Sequence, residues 1–229
     1  MRIVAFDAST EWLSVAAGDA TSWHVHDERA GAENSQCILP SLDAVLAQAG
    51  WRLADLDGIA FGAGPGAFTG VRIACSVAQG LALGADLPVI AIPSLLALAQ
   101  EAWRTVGATR VCACLDARMH EVYVACYRRD ADEWCAEREP DVIKPQDVEV
   151  APGEWIGAGD GFVAYPELSS ARGLSRVHPN LYPTARSIGE LALPLFARGA
   201  GVPASEAHPL YVRQRVALTT KERNAGLRL

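Results

Sequence analysis

The stretch Ile3-Val4-Ala5-Phe6-Asp7-Ala8-Ser9-Thr10-Glu11, followed closely by Leu13-Ser14-Val15-Ala16-Ala17, decides how this chain is read. An apolar run ends on an aspartate, a short polar turn follows, and an alternating run returns. That order predicts a β-hairpin with a buried first strand. The same order comes back later. Arg110-Val111-Cys112-Ala113-Cys114-Leu115 leads to the turn Asp116-Ala117-Arg118-Met119-His120, and Glu121-Val122-Tyr123-Val124-Ala125-Cys126-Tyr127 is the return strand. Only the Asp-Ala pair and the flanking pattern match, so the likeness is a structural echo and not a sequence repeat. An α/β chain with two such openings is expected to form two lobes, residues 1–105 and residues 106–229.

Working outward, Ser22-Trp23-His24-Val25-His26 continues the first meander. His24 and His26 share a strand face, but no third ligand stands nearby, so no metal site is expected there. Residues 35–49 read as a helix with Ile38, Leu42, Val45 and Ala49 in one stripe and Leu39 and Leu46 beside it. Ser35 is its expected N-cap and Gly50 its stop. The apolar run Asp57-Gly58-Ile59-Ala60-Phe61 then enters Gly62-Ala63-Gly64-Pro65-Gly66-Ala67-Phe68-Thr69-Gly70, ahead of Val71-Arg72.

Strand, glycine-rich turn and helix in succession can gather backbone N–H groups around a phosphate or fix a sharp turn. The Lys-Ser/Thr of a Walker loop is missing, and the run lies too far into the chain for a dinucleotide fingerprint. Gly64, Pro65, Gly66 and Gly70 are therefore read as structural loop residues. The helix expected over residues 71–85 carries Ile73, Val77 and Leu81 in one row, and Ala74, Ala78 and Ala82 in another. Gly80 and Gly84 keep parts of its surface flat. Pro88-Val89-Ile90-Ala91-Ile92 is a strand, and Ser94 caps a helix to about Arg104. Trp155-Ile156-Gly157-Ala158-Gly159-Asp160-Gly161 is a short strand running into a glycine turn. Residues 184–198 are mostly helical, with Pro194 as a kink or break.

The chain has 229 residues, half of them hydrophobic, which suffices for one large core or two small ones. A net charge of -7 excludes a general binder of nucleic acid or of anionic membranes and leaves RNA contact to a local patch. The six cysteines form no CxxC pair and read as small buried hydrophobes. Neither a signal peptide nor a membrane-spanning run is seen, so a cytoplasmic protein without a membrane partner is expected.

Two lobes, each opening with a strand–Asp–turn–strand hairpin, resemble the actin-like ATPases. In this ribonuclease H-like fold each lobe is a mixed sheet flanked by helices. More specifically, the chain is similar to the TsaB (YeaZ) family of tRNA threonylcarbamoyladenosine (t6A) synthesis. The matching stretches are Phe6-Asp7-Ala8-Ser9-Thr10-Glu11, Ser35-Gln36 with Leu39-Pro40, and Leu56-Asp57-Gly58-Ile59-Ala60-Phe61. The strongest is Gly64-Pro65-Gly66-Ala67-Phe68-Thr69-Gly70-Val71-Arg72, supported by Ala78-Gln79-Gly80-Leu81-Ala82. Asp116-Ala117-Arg118-Met119, Glu121-Val122-Tyr123 and Pro209-Leu210-Tyr211-Val212-Arg213 complete the set. The match is dense as far as Tyr127 and sparse beyond. Asn34 stands where the family often has histidine, and Ala67 where serine is frequent.

The resemblance implies a nucleotide cleft at Asp7, Ser9, Thr10, Asp116, Arg118, Gly157, Gly159 and Asp160, because hairpins of this class grip phosphates and a later glycine turn cradles adenosine. The structural reading of the two aspartates Asp116 and Asp160 is turn formation and N–H capping. Ser9 and Arg118 stand where many actin-like ATPases carry glycine, so weak nucleotide binding and little independent ATPase activity are expected. The paralogue TsaD, which transfers the threonylcarbamoyl group, holds a metal through HxxxH. The histidines here are His24, His26, His120, His178 and His208, so no metal and no catalytic residue is expected.

The family implies a non-catalytic subunit that dimerises with a TsaD-type transferase, or with itself when alone. A TsaC-type enzyme supplies threonylcarbamoyl-AMP, and a TsaE-type ATPase resets the complex. No cofactor is intrinsic, with ATP or ADP held where partners meet. The product is N6-threonylcarbamoyladenosine in tRNAs reading codons that begin with A. The partner face is expected at Leu39, Leu42 and Leu46 on the first helix and at Arg72, Ile73, Val77, Gly80 and Leu81 on the second. The competing reading turns each stripe onto the lobe's own sheet. Arg213, Arg215, Lys221, Arg223 and Arg228 make a basic, solvated tail, and tRNA contact is expected to be mainly indirect. The alternative functions are a free-standing ATP-dependent small-molecule kinase and, last, a glycoprotease-like peptidase, for which no Ser-His-Asp or Cys-His set is found.

Overall fold

The computed structural model of the chain describes residues 1–213. The tail positions Arg215, Lys221, Arg223 and Arg228 lie outside the described residues.

The first hairpin is β1 (Ile3–Asp7) with β2 (Leu13–Gly18), extended by β3 (Trp23–Glu28). Helix α1 (Asn34–Ala49) and strand β4 (Gly58–Gly64) follow, then helix α2 (Phe68–Ala85), strand β5 (Val89–Pro93) and helix α3 (Ser94–Val106). The second hairpin is β6 (Arg110–Asp116) with β7 (Val122–Asp130), extended by β8 (Glu133–Ile143). Strand β9 (Trp155–Ala158), the short helix α4 (Gly161–Ala164), strand β10 (Leu174–His178) and helix α5 (Ala185–Ala197) complete the order.

The two sheets share one topology. The first runs β3-β2-β1-β4-β5 and the second, read from its other edge, β8-β7-β6-β9-β10. In each, an antiparallel meander lies on one side of the central strand and two parallel strands on the other. Residues of β1 alternate between faces, as period two demands. Val4 and Phe6 meet α1 and α2 with Ile38, Val45 and Ala78, whereas Ile3 and Ala5 meet Ile188 and Ala192 of α5. In β6, Val111, Ala113 and Leu115 pack on Leu95, Leu98 and Ala102 of α3, and Cys112 and Cys114 face Phe162 and Trp155. Both central strands are covered on both faces, so their sequences are continuously apolar.

Several expectations are corrected. Helix α5 and residues 200–213 belong with the first lobe: α5 packs on β1, β2 and β4, and Val202 bridges Val89 of β5. A boundary at 105/106 therefore puts them in the wrong lobe. Ser35 lies inside α1, which follows a 3-10 turn over Gly31–Glu33 and takes Glu33 as N-cap. Helix α2 starts at Phe68, so the last residues of the glycine loop form its first turn. Ser94 opens α3 without capping it. Pro194 does not end α5, which runs on to Ala197. Gly50 does close α1, in the left-handed conformation at φ 70°. By length and composition α2 is apolar enough to cross a membrane. One side of it, with Ala74, Ala78 and Ala82, is buried on the sheet, whereas Leu83 on the same helix is exposed.

Candidate functional site: the cleft between the lobes

The two hairpin turns face each other across a cleft of about 690 Å3. One wall is Ser9, Thr10 and Glu11 with Pro65–Phe68 of the glycine loop; the other is Leu115–Arg118 with Tyr123 and Asp160. Residues 210–213 close one end. The cleft thus gathers Ser9, Thr10, Asp116, Arg118 and Asp160 from the expected nucleotide set. Asp7, Gly157 and Gly159 are not brought to it.

Asp7 is fully buried. Its Oδ1 accepts from the amide of Ser9 at 2.8 Å and from Ser9 Oγ at 2.7 Å, and its Oδ2 accepts from Ser94 Oγ at 3.1 Å. Ser94 Oγ in turn accepts from the amide of Gly64 at 3.2 Å. The carboxyl ties β1, β4 and the start of α3 together beneath the cleft lining. Gly62 leaves it room, since a Cβ there would lie 1.8 Å from Oδ2. Burial pushes its pKa up to about 6, against the opposing pull of the Ser9 and Ser94 hydrogen bonds.

The glycine loop closes the turn of the first hairpin from the other side. The amide of Ala67 donates to the carbonyl of Ser9 at 2.7 Å. A Cβ on Gly66 would lie 2.3 Å from that carbonyl oxygen. The loop's glycines allow backbone to lie on backbone, and the polar groups of Ser9 are used inside the protein.

The second hairpin is built differently. Asp116 Oδ1 accepts from the amide of Arg118 at 2.8 Å, and its Oδ2 meets Arg118 Nη1 at 2.9 Å. Asp160 Oδ1 accepts from the amide of Asp116 at 3.0 Å. Burial raises the Asp160 pKa, and the nearby Asp116 charge adds to the effect. Arg118, Met119 and His120 have φ of 60°, 57° and 58°, so this turn takes without glycine a conformation glycine adopts freely. Gly157 is covered by Phe162, and Gly159, at φ 113°, fits against the carbonyl of Cys114; both serve packing. The described residues hold no cluster of three metal-ligating side chains.

The partner-face expectation divides. Leu42 and Leu46 are 3% and 6% exposed in the core of their own lobe, so they cannot also be docking residues, and that part is corrected. Leu39 is 48% exposed. Ile73, Val77 and Leu81 are half-buried, Arg72 is exposed, and Gly80 has open space above it. Leu83, not singled out from sequence, is 80% exposed on the same helix. Sequence reasoning also missed that Leu210-Tyr211-Val212-Arg213 lines the cleft. Its mixed apolar and aromatic character was the available signal.

Two lobes of one topology, turning their hairpins into a shared cleft, define an actin-like, ribonuclease H-like protein. The family described as TsaD: tRNA N6-adenosine threonylcarbamoyltransferase matches residues 24–161. The tRNA threonylcarbamoyladenosine biosynthesis protein TsaB of Escherichia coli (strain K12) is 44% identical over 223 residues, covering 95% of this chain and 96% of that protein. The protein of the same name from Haemophilus influenzae is 37% identical over 229 residues, covering 94% and 95%. The solved structure of YeaZ from Pseudomonas aeruginosa matches with a TM-score of 0.87 at 42% identity, over 92% of this chain and 99% of that one. The chain belongs to the TsaB (YeaZ) family of tRNA threonylcarbamoyladenosine biosynthesis proteins.

Proposed function

We propose that this protein is the non-catalytic subunit through which a TsaD-type transferase is activated to form N6-threonylcarbamoyladenosine in tRNAs reading codons that begin with A. The observation that carries this reading is the closed first hairpin: Asp7 is buried on Ser9 and Ser94, and Ser9 is capped by Ala67. A phosphoryl-transfer site needs its carboxylate and its turn amides facing substrate. Here the Asp7 carboxylate and the Ser9 amide are spent on each other inside the protein. What the first lobe leaves open is the face of α1 and α2 around Leu39, Ile73, Val77, Gly80 and Leu83, and this is the docking surface for the transferase.

In the absence of the transferase the same face joins two copies of the chain. ATP or ADP sits where partners meet, a TsaE-type ATPase resets the complex, and tRNA is contacted mainly by the other subunits. The complex works in the cytoplasm. Nucleoside mass spectrometry of bulk tRNA from cells depleted of the protein tests the reading. Selective loss of threonylcarbamoyladenosine, restored by the wild-type chain and not by Leu39→Glu, is expected. An unchanged level would overturn it.

A further inference from the structure

Residues 207–213 form a strap across one end of the cleft, anchored on the first lobe at three points. The carbonyl of Ala207 accepts from Gln79 Nε2 at 2.9 Å and from Cys75 Sγ at 3.4 Å, both on α2. The amide of Leu210 donates to the carbonyl of Ala63 in β4 at 2.7 Å. The Tyr211 hydroxyl accepts from Arg72 Nε at 3.0 Å. The Arg72 guanidinium also lies 3.6 Å from the Phe68 ring centre and 5.6 Å from that of Tyr211.

Arg213 then reaches the other lobe. It donates to the carboxylate of Glu121, meets the sulfur of Met119 at 3.3 Å, and lies 5.9 Å from the ring centre of Tyr123. All three belong to the β6–β7 hairpin, which carries Asp116 and Arg118 into the cleft. The Arg213 side chain is 12% exposed, so its ion pair is less screened than a surface pair. The hairpin it grips holds three successive non-glycine residues in the left-handed region. Such residues are each strained by about 1–2 kcal/mol and persist only where surrounding contacts hold them.

We propose that Arg213 is an interlobe latch. The strap, fixed to α2 and β4, sets the width of the cleft by gripping Glu121 and Met119, and the Arg72–Tyr211 contact carries events on the α2 face to that grip. The latch does not depend on the identity of any partner. The link to Arg72 rests on the helix read above as the docking surface, whereas the Arg213–Glu121 grip lies across the cleft from that face and is tested apart from it.

Hydrogen exchange on the full-length chain tests it, read at the amides of residues 117–121. There Ala117 donates to the carbonyl of Glu121, and Glu121 to that of Arg118. Arg213→Ala is expected to speed exchange at these amides by about tenfold, the equivalent of one lost charge-assisted hydrogen bond. Glu121→Gln is expected to do the same, and the double variant to do no more than either alone. Exchanging the charges, Arg213→Glu with Glu121→Arg, is expected to slow it again. Unchanged exchange in β1 and α5 shows that the fold is intact. Arg72→Ala, which touches neither Glu121 nor Met119, is expected to speed exchange at the same amides. If both single latch variants exchange like the wild type, or if their effects add, the latch is overturned. If Arg213→Ala speeds exchange and Arg72→Ala does not, the link to α2 is overturned.

Discussion

The α-carbon of Gly70 lies against the main chain of Ala8, so that a Cβ at Gly70 would stand 1.8 Å from the Ala8 carbonyl oxygen. The first turn of α2 and the turn of the first hairpin are packed without a side chain between them. Such contact leaves no volume for a methyl group on Gly70.

Gly70→Ala is therefore expected to destabilise the protein by about 3 kcal/mol, the upper end for forcing an atom into a site filled by backbone. Gly80→Ala, on the same helix with nothing within 4 Å of a new Cβ, is expected to stabilise it by about 0.5–1 kcal/mol through helix propensity. Urea titration of the two variants checks this. Equal midpoints would show that the loop gives way.

Asp7 makes the protein more stable in mild acid. Its folded pKa of about 6 stands above the ordinary 3.8, so the folded state holds the proton more tightly. Its contribution is greatest below the unfolded pKa and declines as pH rises through about 6, a loss of about 3 kcal/mol between the two limits. Asp7→Asn keeps an acceptor for Ser9 and removes the titration. Between pH 4.5 and 7.5 its stability relative to the wild type is expected to rise. A constant difference across that range would mean that Asp7 does not titrate as its burial requires.

Leu39 and Leu42 separate docking from folding. Leu42→Glu places a charge in the core of the first lobe and is expected to unfold it, at a cost of about 3–5 kcal/mol. Leu39→Glu changes an exposed side chain and is expected to leave stability within about 0.5 kcal/mol while abolishing self-association and capture of the TsaD-type subunit. Sedimentation and co-purification decide. A folded Leu39→Glu variant that still binds would move the interface elsewhere.

Cys112 and Cys126 stand directly opposite each other in the β6–β7 ladder, both buried, whereas Cys135 on β8 is exposed. A maleimide is expected to modify Cys135 rapidly in the native protein, and to reach Cys112, Cys114 and Cys126 only at the rate at which the second lobe opens. Prompt labelling of Cys112, followed by mass spectrometry, would contradict that packing.

The sequence by itself determined what depends on near neighbours. Alternation and apolar runs placed both hairpins, the stripes of Ile38 and Val45 marked the buried side of α1, and Gly50 marked its end. The tertiary structure decided what those elements do. Asp7 reads as a cleft residue until Ser94, 87 positions away, takes its second oxygen. Leu42 and Leu39 lie on one apolar arc, and only the sheet beneath the helix shows which of them remains outside. The glycine loop reads from sequence as an anion cradle or a sharp turn, and only the tertiary structure shows the Ala8 and Ser9 carbonyls set against Gly70 and Gly66. Helix α5 returns to the first lobe, and Arg213 finds Glu121 across the cleft, through contacts between residues far apart in the chain. Local propensity extends over one or two turns of chain, whereas a buried carboxylate, a close backbone contact and an interlobe ion pair are set by which distant surfaces the hydrophobic cores bring together.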